Sequence, residues 1–224
     1  MTAPADSLGS LLAAVVGRLG VTAALDVGAN RGDFARLLRG EARFAGRILS
    51  FEPQRDVFPA LAAEAARDPR WEAHRLAIGE TDDVRRLRRF AGSELASLWA
   101  MNADGRRLLH GSPERGEEEV QLRSLTGLWA RLGLDGERVL LKVDTQGYEL
   151  EVLRGAGPRL ADVVALVLEV AVTPLYGGTP DWRTVIDVTV DAGFVPSGLY
   201  LVNRAPDLRA IEFDYVAVRP GVAG

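Results

Sequence analysis

Cysteine is absent from this sequence of 224 residues, and the chain has only two histidines. Without cysteine there can be no disulfide framework, no thiolate nucleophile and no cysteine-bound zinc. Lysine is almost as scarce, because the 27 basic residues include one lysine, Lys142. Against 31 acidic residues they leave a formal net charge of −4, which argues against a nucleic-acid partner.

Long apolar runs are also missing. The longest early run, residues 11–16, is too short to span a bilayer, and no basic stretch typical of a secretory signal precedes it. We therefore expect a cytoplasmic protein with no membrane partner. With 47% apolar residues, the composition is that of a globular protein, and we expect one domain over residues 1–224.

Apolar periodicity predicts an alternation of helices and strands. Residues 1–20 carry an apolar stripe at helical spacing and end at a glycine, which indicates an N-terminal helix. Helical patterns follow at 34–40, 56–66, 126–134, 148–154 and 182–192. Strand patterns lie at 22–27, 47–52, 71–78, 84–90, 119–122, 139–144, 163–170, 199–202 and 211–218.

This alternation predicts an α/β fold with a mostly parallel sheet and helices on both faces. The last two strands have no helix between them, so we expect an antiparallel terminal hairpin at one edge. Residues 92–118 are polar and rich in turn-forming residues. The length of this segment favours a lid or a substrate-binding loop.

Four predicted strands end in a carboxylate, namely Asp26, Glu52, Asp144 and Glu169. Ligands of open α/β sheets bind outside the carboxyl ends of the strands. Buried carboxylates are costly unless they are paired or solvated. A crevice lined by these groups suits a ligand that carries hydroxyls and a positive charge.

The loop after the first strand is rich in glycine. Gly28 permits a tight turn from strand to helix, and Gly32 lets the helix approach the sheet closely. A carboxylate at Glu52 could hold both hydroxyls of a ribose. A nicotinamide cofactor and S-adenosylmethionine both fit this arrangement, although the loop lacks the G-x-G-x-x-G pattern of nicotinamide sites.

A second motif separates these cofactors. The run L-K-V-D-T-Q-G-Y-E at 141–149, followed by V-L-R-G-A, resembles the hallmark of the FkbM-type S-adenosylmethionine-dependent methyltransferases. D-V-G-A-N-R-G-D-F at 26–34 and S-F-E-P at 50–53 resemble that family's other two motifs, in the same order. One departure is Gln146, where glutamate is commoner in the family.

The resemblance implies a Rossmann-like class I methyltransferase fold with a seven-stranded sheet, and S-adenosylmethionine as cofactor. It implies that a set of residues at the strand ends holds this cofactor, with Glu52 on the ribose and Asp144 facing the methyl group and the acceptor. The cofactor-binding set is Asp26, Gly28, Ala29, Asn30, Gly32, Glu52, Ala77, Ile78 and Asp144.

Methylation of a hydroxyl also needs a group that removes its proton. Asp144 is the first candidate for this catalytic role, and His110 in the polar segment is the second. Asp144 and Glu169 could instead bind Mg²⁺, but two carboxylates are few for such a site, so Mg²⁺ is not expected. Lys142 lies within a predicted strand, where its ammonium group requires an acidic partner.

We therefore expect an S-adenosylmethionine-dependent O-methyltransferase that acts on a hydroxyl of a small molecule or glycan in a biosynthetic pathway. Two alternatives stay open. One is a nicotinamide-dependent oxidoreductase, and the other is a non-catalytic binding subunit with the methyltransferase fold. A homodimer is a possible assembly.

Overall fold

The computed structural model describes residues 7–109 and 112–221. Within these ranges the α-helices are α1 Leu8–Arg18, α2 Asp33–Gly40, α3 Phe58–Ala65, α4 Ala103–Leu108, α5 Leu125–Leu128, α6 Glu149–Ala156 and α7 Trp182–Asp191. The strands are β1 Ala23–Val27, β2 Arg47–Phe51, β3 Trp71–His74, β4 Ala77–Ile78, β5 Asp83–Phe90, β6 Glu114–Arg123, β7 Val139–Val143, β8 Val163–Ala171, β9 Val195–Arg204 and β10 Ala210–Val218. Two 3₁₀ segments occupy Ser93–Leu95 and Gly157–Asp162.

Seven strands form the main sheet in the order β3-β2-β1-β7-β8-β10-β9. The first five are parallel, and β10 and β9 are antiparallel to their neighbours. This arrangement confirms the predicted α/β sheet with its terminal hairpin. One apolar cluster packs on each face of this sheet, around Trp129 on one side and around Leu12 on the other. No helix in the described ranges has both the length and the apolar character that a bilayer crossing requires.

The predicted third strand at 71–78 is wrong, because the chain turns in its middle. Residue Leu76 donates its backbone N–H to the His74 carbonyl at 3.0 Å. The first half becomes β3 of the main sheet, and the second half becomes β4 of a separate three-stranded sheet, β4-β6-β5. The sequence pattern of this segment does not reveal that its two halves pair with different neighbours.

The polar segment 92–118 contains more regular structure than its composition predicts. It includes one 3₁₀ turn, the whole of α4 and the first residues of β6, which begins at Glu114 instead of residue 119. The early start of β6 follows from its partner, since Glu117 and Glu119 lie opposite Arg88 and Arg86 of β5. Cross-strand pairs of opposite charge stabilise a strand that an exposed acidic sequence would not predict.

Two predicted helix ends also differ from the structure. The α-helix expected at 126–134 is confined to α5, and turns follow it. The helix predicted at 148–154 does not stop before Gly155, since α6 continues to Ala156 and the chain turns at Gly157 with φ +49°. A Cβ atom on Gly155 would lie 1.9 Å from the Gly79 carbonyl oxygen. That glycine therefore allows a close helix contact and does not terminate the helix.

Candidate functional site

The carboxyl end of β1 is anchored by a buried ion pair. Lys142 Nζ lies 3.2 Å from Asp26 Oδ1 and 3.5 Å from Asp144 Oδ2, which confirms the predicted acidic partner of this lysine. Ser50 Oγ donates to Asp26 Oδ2 at 3.1 Å. Burial opposes the charge on Lys142, but the carboxylates of Asp26 and Asp144 raise its pKa above the usual value. The ammonium group therefore stays charged and joins β1 to β7.

The glycine loop after β1 packs closely against two neighbours. Gly28 has φ +74°, and a Cβ atom there would lie 1.8 Å from the Asp144 carbonyl oxygen. Gly32 has φ +84°, and its Cβ atom would lie 2.7 Å from the Trp71 ring. Lys142 Nζ also donates to the Gly28 carbonyl at 2.9 Å. Both glycines are thus required by backbone conformation and by space.

Glu52 lies at the end of β2 and is almost completely buried. Its Oε2 accepts the backbone N–H of Asn30 at 2.9 Å, and its Oε1 accepts that of Gln54 at 2.8 Å. Burial raises the pKa of Glu52 to about 7, although these hydrogen bonds oppose the change. Two backbone amides from separate loops therefore set the position of this carboxylate.

The carboxylates at the ends of β7 and β8 are joined by a neighbouring amide. Gln146 Nε2 donates to Asp144 Oδ1 at 3.1 Å and also to Glu169 Oε2. Burial raises the pKa of Glu169 well above its ordinary value, and the charge of Asp144 raises it further. The two carboxyl groups, expected at neighbouring strand ends, do lie close together.

A cavity of about 440 Å³ opens over these strand ends. This volume is within the range of small-molecule sites. Of the expected cofactor residues, the cavity brings together Gly28, Asn30, Glu52, Ala77, Ile78 and Asp144. Phe51 and Leu76 add apolar surface beside β4. The wall of the cavity therefore combines one apolar region with carboxylates at four strands of the main sheet.

The remaining predicted residues lie elsewhere. Ala29 lines a second cavity of about 770 Å³ on the α1 side, which also reaches Asp144. Asp26 and Gly32 line neither of these two cavities, because Asp26 pairs with Lys142 and Gly32 packs on Trp71. The predicted second catalytic candidate, His110, lies outside the described residues.

The sequence did not indicate two residues that line the cavity, nor one buried residue that holds a neighbouring loop. Asn203 and Glu212 face the cavity from the terminal hairpin, where Asn203 Nδ2 donates to Glu212 Oε2 at 2.9 Å. Glu149 is buried and accepts the backbone N–H groups of Thr145 and Gly147 at 3.0 and 3.1 Å. The presence of Glu149 within the 141–149 motif was the available signal for its role in holding this loop.

No arrangement of three or more histidine, aspartate or glutamate side chains suited to a metal ion occurs in residues 7–109 and 112–221. The Gln146 amide contacts both Asp144 and Glu169, the two carboxyl groups that the sequence offered for Mg²⁺. Within the described residues, no third carboxylate joins Asp144 and Glu169 in an arrangement that suits a metal ion.

Solved structures with a similar fold include three with TM-scores above 0.5. Magnesium protoporphyrin IX methyltransferase (ChlM) from Synechocystis PCC 6803, with bound SAM, has a TM-score of 0.52 at 11% identity, covering 96% of this chain and 77% of its own. Cofactor-bound Rv0187 from MTB has a TM-score of 0.53 at 10% identity, with coverage of 97% and 83%. WbdD, co-crystallised with a kinase inhibitor, has a TM-score of 0.56 at 14% identity, with coverage of 96% and 41%.

These identities support a shared fold and no more. No curated protein sequence matches the chain significantly. The family comparison is more specific, because residues 26–196 match the model of the methyltransferase FkbM domain. That range includes the loop after β1, the end of β2 and the 141–149 motif, each of which contributes residues to the cavity wall. The chain belongs to the FkbM methyltransferase family.

Proposed function

We propose that this protein is an S-adenosylmethionine-dependent O-methyltransferase that methylates a hydroxyl of a small molecule or glycan in a biosynthetic pathway. The observation that carries the proposal is Glu52, a buried carboxylate at the end of β2 that two backbone amides hold at the wall of the cavity. Family membership supports the methyltransferase reaction. The acceptor class is inferred from the polar groups at the other end of the cavity.

The residues of the cavity fit this cofactor. A carboxylate has about four lone pairs, so Glu52 can accept two ribose hydroxyls besides the amides of Asn30 and Gln54. The buried apolar surface of Ala77 and Ile78 is suited to the adenine ring. A carboxylate at Asp144 favours a sulfonium cation nearby.

The bound cofactor would supply an electrophilic methyl group. The protein's part is chiefly alignment, because this displacement requires the acceptor oxygen to be held in line. Asp144 orients the acceptor hydroxyl and accepts its proton through a carboxylate oxygen. Lys142 and Gln146 fix the Asp144 side chain at 3.5 and 3.1 Å, which keeps its remaining lone pairs directed at the cavity.

The catalytic assignment has a second candidate in His110. We propose the 92–118 segment, which contains His110, as the substrate loop, and a histidine there would serve as the general base in place of Asp144. Asp144→Asn and His110→Gln separate the two assignments. We expect Asp144→Asn to lower methyl transfer at least about 100-fold, a typical contribution of a general base. A larger loss in His110→Gln would assign the base to the histidine.

The test of the function combines binding and transfer. Isothermal titration with S-adenosylhomocysteine should give saturable binding, whereas NADH should give none. Radiolabelled methyl transfer from S-adenosylmethionine to a panel of sugars, polyols, polyketide alcohols and amines should then label at least one hydroxyl compound. Binding of NADH alone would support the oxidoreductase alternative. Cofactor binding with labelled amines and no labelled alcohol would contradict O-methylation.

A further inference from the structure

The side chain of Gln146 contacts both carboxylates at the acceptor end of the cavity. Its Nε2 atom donates to Asp144 Oδ1 at 3.1 Å and to Glu169 Oε2. Its Oε1 atom lies 3.3 Å from the Tyr176 hydroxyl. The reversed amide would direct a carbonyl oxygen at two carboxyl groups, so only this orientation supplies a donor to each. Gln146 thus provides the shared hydrogen-bond donor of the pair.

The backbone of Gln146 is held as firmly as its side chain. Its φ is +55°, a left-handed conformation that is costly for a residue other than glycine. Ser97, which is fully buried, donates its Oγ to the Gln146 carbonyl at 2.8 Å. The Tyr176 hydroxyl contacts the Leu95 carbonyl at 2.8 Å. The segment between β5 and α4 therefore holds Gln146 between the two carboxylates.

Two buried carboxyl groups at neighbouring strands need hydrogen-bond donors, because burial and mutual repulsion disfavour their charges. Lys142 Nζ lies 3.5 Å from one oxygen of Asp144, Oδ2. Oδ1 of the same residue and Oε2 of Glu169 face the Gln146 amide. These two oxygens come from different residues and point to one place, as the oxygens of a divalent-cation site do.

We propose that Gln146 is a positioning residue whose amide takes the place of a divalent cation between Asp144 and Glu169, so that this pair is organised without a metal. The side-chain NH₂ group of Gln146 supplies two hydrogen bonds without adding a charge. A glutamate at the same position would supply a third carboxylate, and the pair would then become a site for a hard cation.

The consequence for the acceptor rests on the proposed function. Asp144 would meet a neutral hydroxyl as a carboxylate already oriented by Gln146, and no metal would be needed to bridge acceptor and protein. Asn203 and Glu212 line the same cavity and offer further donors and acceptors to a polyhydroxylated molecule. The acceptor class that fits is therefore an uncharged polyol or sugar.

The test measures Mn²⁺ binding to the full chain, by loss of the free-ion signal in electron paramagnetic resonance, and it needs no acceptor. The wild-type protein should show no saturable binding below about 1 mM, the weak limit of carboxylate sites. Gln146→Glu should bind Mn²⁺ at least roughly tenfold more tightly, because a third charged ligand is added. The double variant Gln146→Glu with Glu169→Gln should lose this gain.

Gln146→Leu is the matched control, since it removes the donor without adding a carboxylate, and it should bind no Mn²⁺. The melting temperature of each variant, with and without S-adenosylhomocysteine, reports whether the fold and the cofactor end are intact. Wild-type binding as tight as that of Gln146→Glu, abolished by Asp144→Asn, would overturn the proposal. So would a folded Gln146→Glu protein that binds no Mn²⁺. Failure of the wild-type protein to bind S-adenosylhomocysteine would instead contradict the proposed function. The Mn²⁺ measurements would still test the role of Gln146, because they need no cofactor.

Discussion

The two ends of the cavity hold their carboxylates by different means. At the cofactor end, backbone amides of Asn30 and Gln54 hold Glu52. At the acceptor end, side chains of Lys142 and Gln146 hold Asp144. Backbone donors persist whatever side chain is present, whereas side-chain donors change with one substitution. The cofactor end is therefore built into the loops, and the acceptor end can be altered residue by residue.

Lys142→Met tests a group that contacts both the loop after β1 and the acceptor end, through the Gly28 carbonyl and Asp144. The free energy of unfolding should fall by about 3–5 kcal/mol, because Asp26 would be left charged and buried without its partner. Urea unfolding measures this change. Arg86→Met, in an exposed ion pair with Glu117, is the control and should cost at most about 1 kcal/mol. Equal losses would contradict the stabilising role of this buried ion pair.

Glu52→Gln should weaken binding of S-adenosylhomocysteine about 10- to 100-fold. A glutamine offers one acceptor oxygen in place of two, and the loss of charged hydrogen bonds costs about 1.5–3 kcal/mol. Isothermal titration measures the affinity. Gln146→Leu, at the acceptor end, should change it by less than about threefold. A reversed order of these two effects would contradict the assignment of the ends.

The pH dependence of cofactor affinity should differ in sign from that of stability. Since the pKa of Glu52 is about 7, affinity for S-adenosylhomocysteine should rise roughly tenfold from pH 6 to pH 8, as the carboxylate that accepts the ribose hydroxyls forms. Isothermal titration across this range measures it. Glu52→Gln should make the affinity independent of pH.

Stability should fall over the same interval. Burial raises the pKa of both Glu52 and Glu149 to about 7, above the ordinary 4.5. The stability that their protonated forms contribute is complete below pH 4.5 and is lost as pH rises through 7. Unfolding of Glu149→Gln should show a weaker pH dependence of stability, while its affinity curve keeps its slope. A stability that increases from pH 6 to pH 8 would contradict the expected sign.

Ser97→Ala should have the smallest effect of these changes. The substitution removes the hydroxyl that donates to the Gln146 carbonyl and accepts the backbone N–H of Trp99. A net loss of about 1 kcal/mol in unfolding free energy is expected, with cofactor affinity changed by less than about twofold. Denaturant unfolding and titration measure both. A loss of affinity comparable to that of Glu52→Gln would show that the acceptor end also organises the cofactor end.

Much of the fold was predictable because strand and helix patterns are local. The positions of Glu52 and Asp144 directly after β2 and β7 followed from where apolar runs stop, whereas Asp26 and Glu169 lie within β1 and β8, near their ends. The terminal hairpin followed from a missing helix. The break between β3 and β4 did not, because the two halves differ in which strands they pair with, and pairing partners are distant in sequence.

The candidate site, like the fold, could be predicted only in part from the sequence. A cavity wall that includes Glu52 and Asp144 could be expected, since parallel strands end at one edge of a sheet. The sequence could not show that Asp26 is buried against Lys142. An acidic residue at this motif position is equally compatible with a contact to the cofactor.

The sequence by itself determined the order of the strands along the chain, the acids at their ends and membership of the family, since all three are written in short contiguous patterns. Only the tertiary structure decided which acids face the cavity and that Gln146 lies between Asp144 and Glu169. The reason is physical: Glu169 is 23 positions from Gln146, and their contact depends on how β7 and β8 pack side by side.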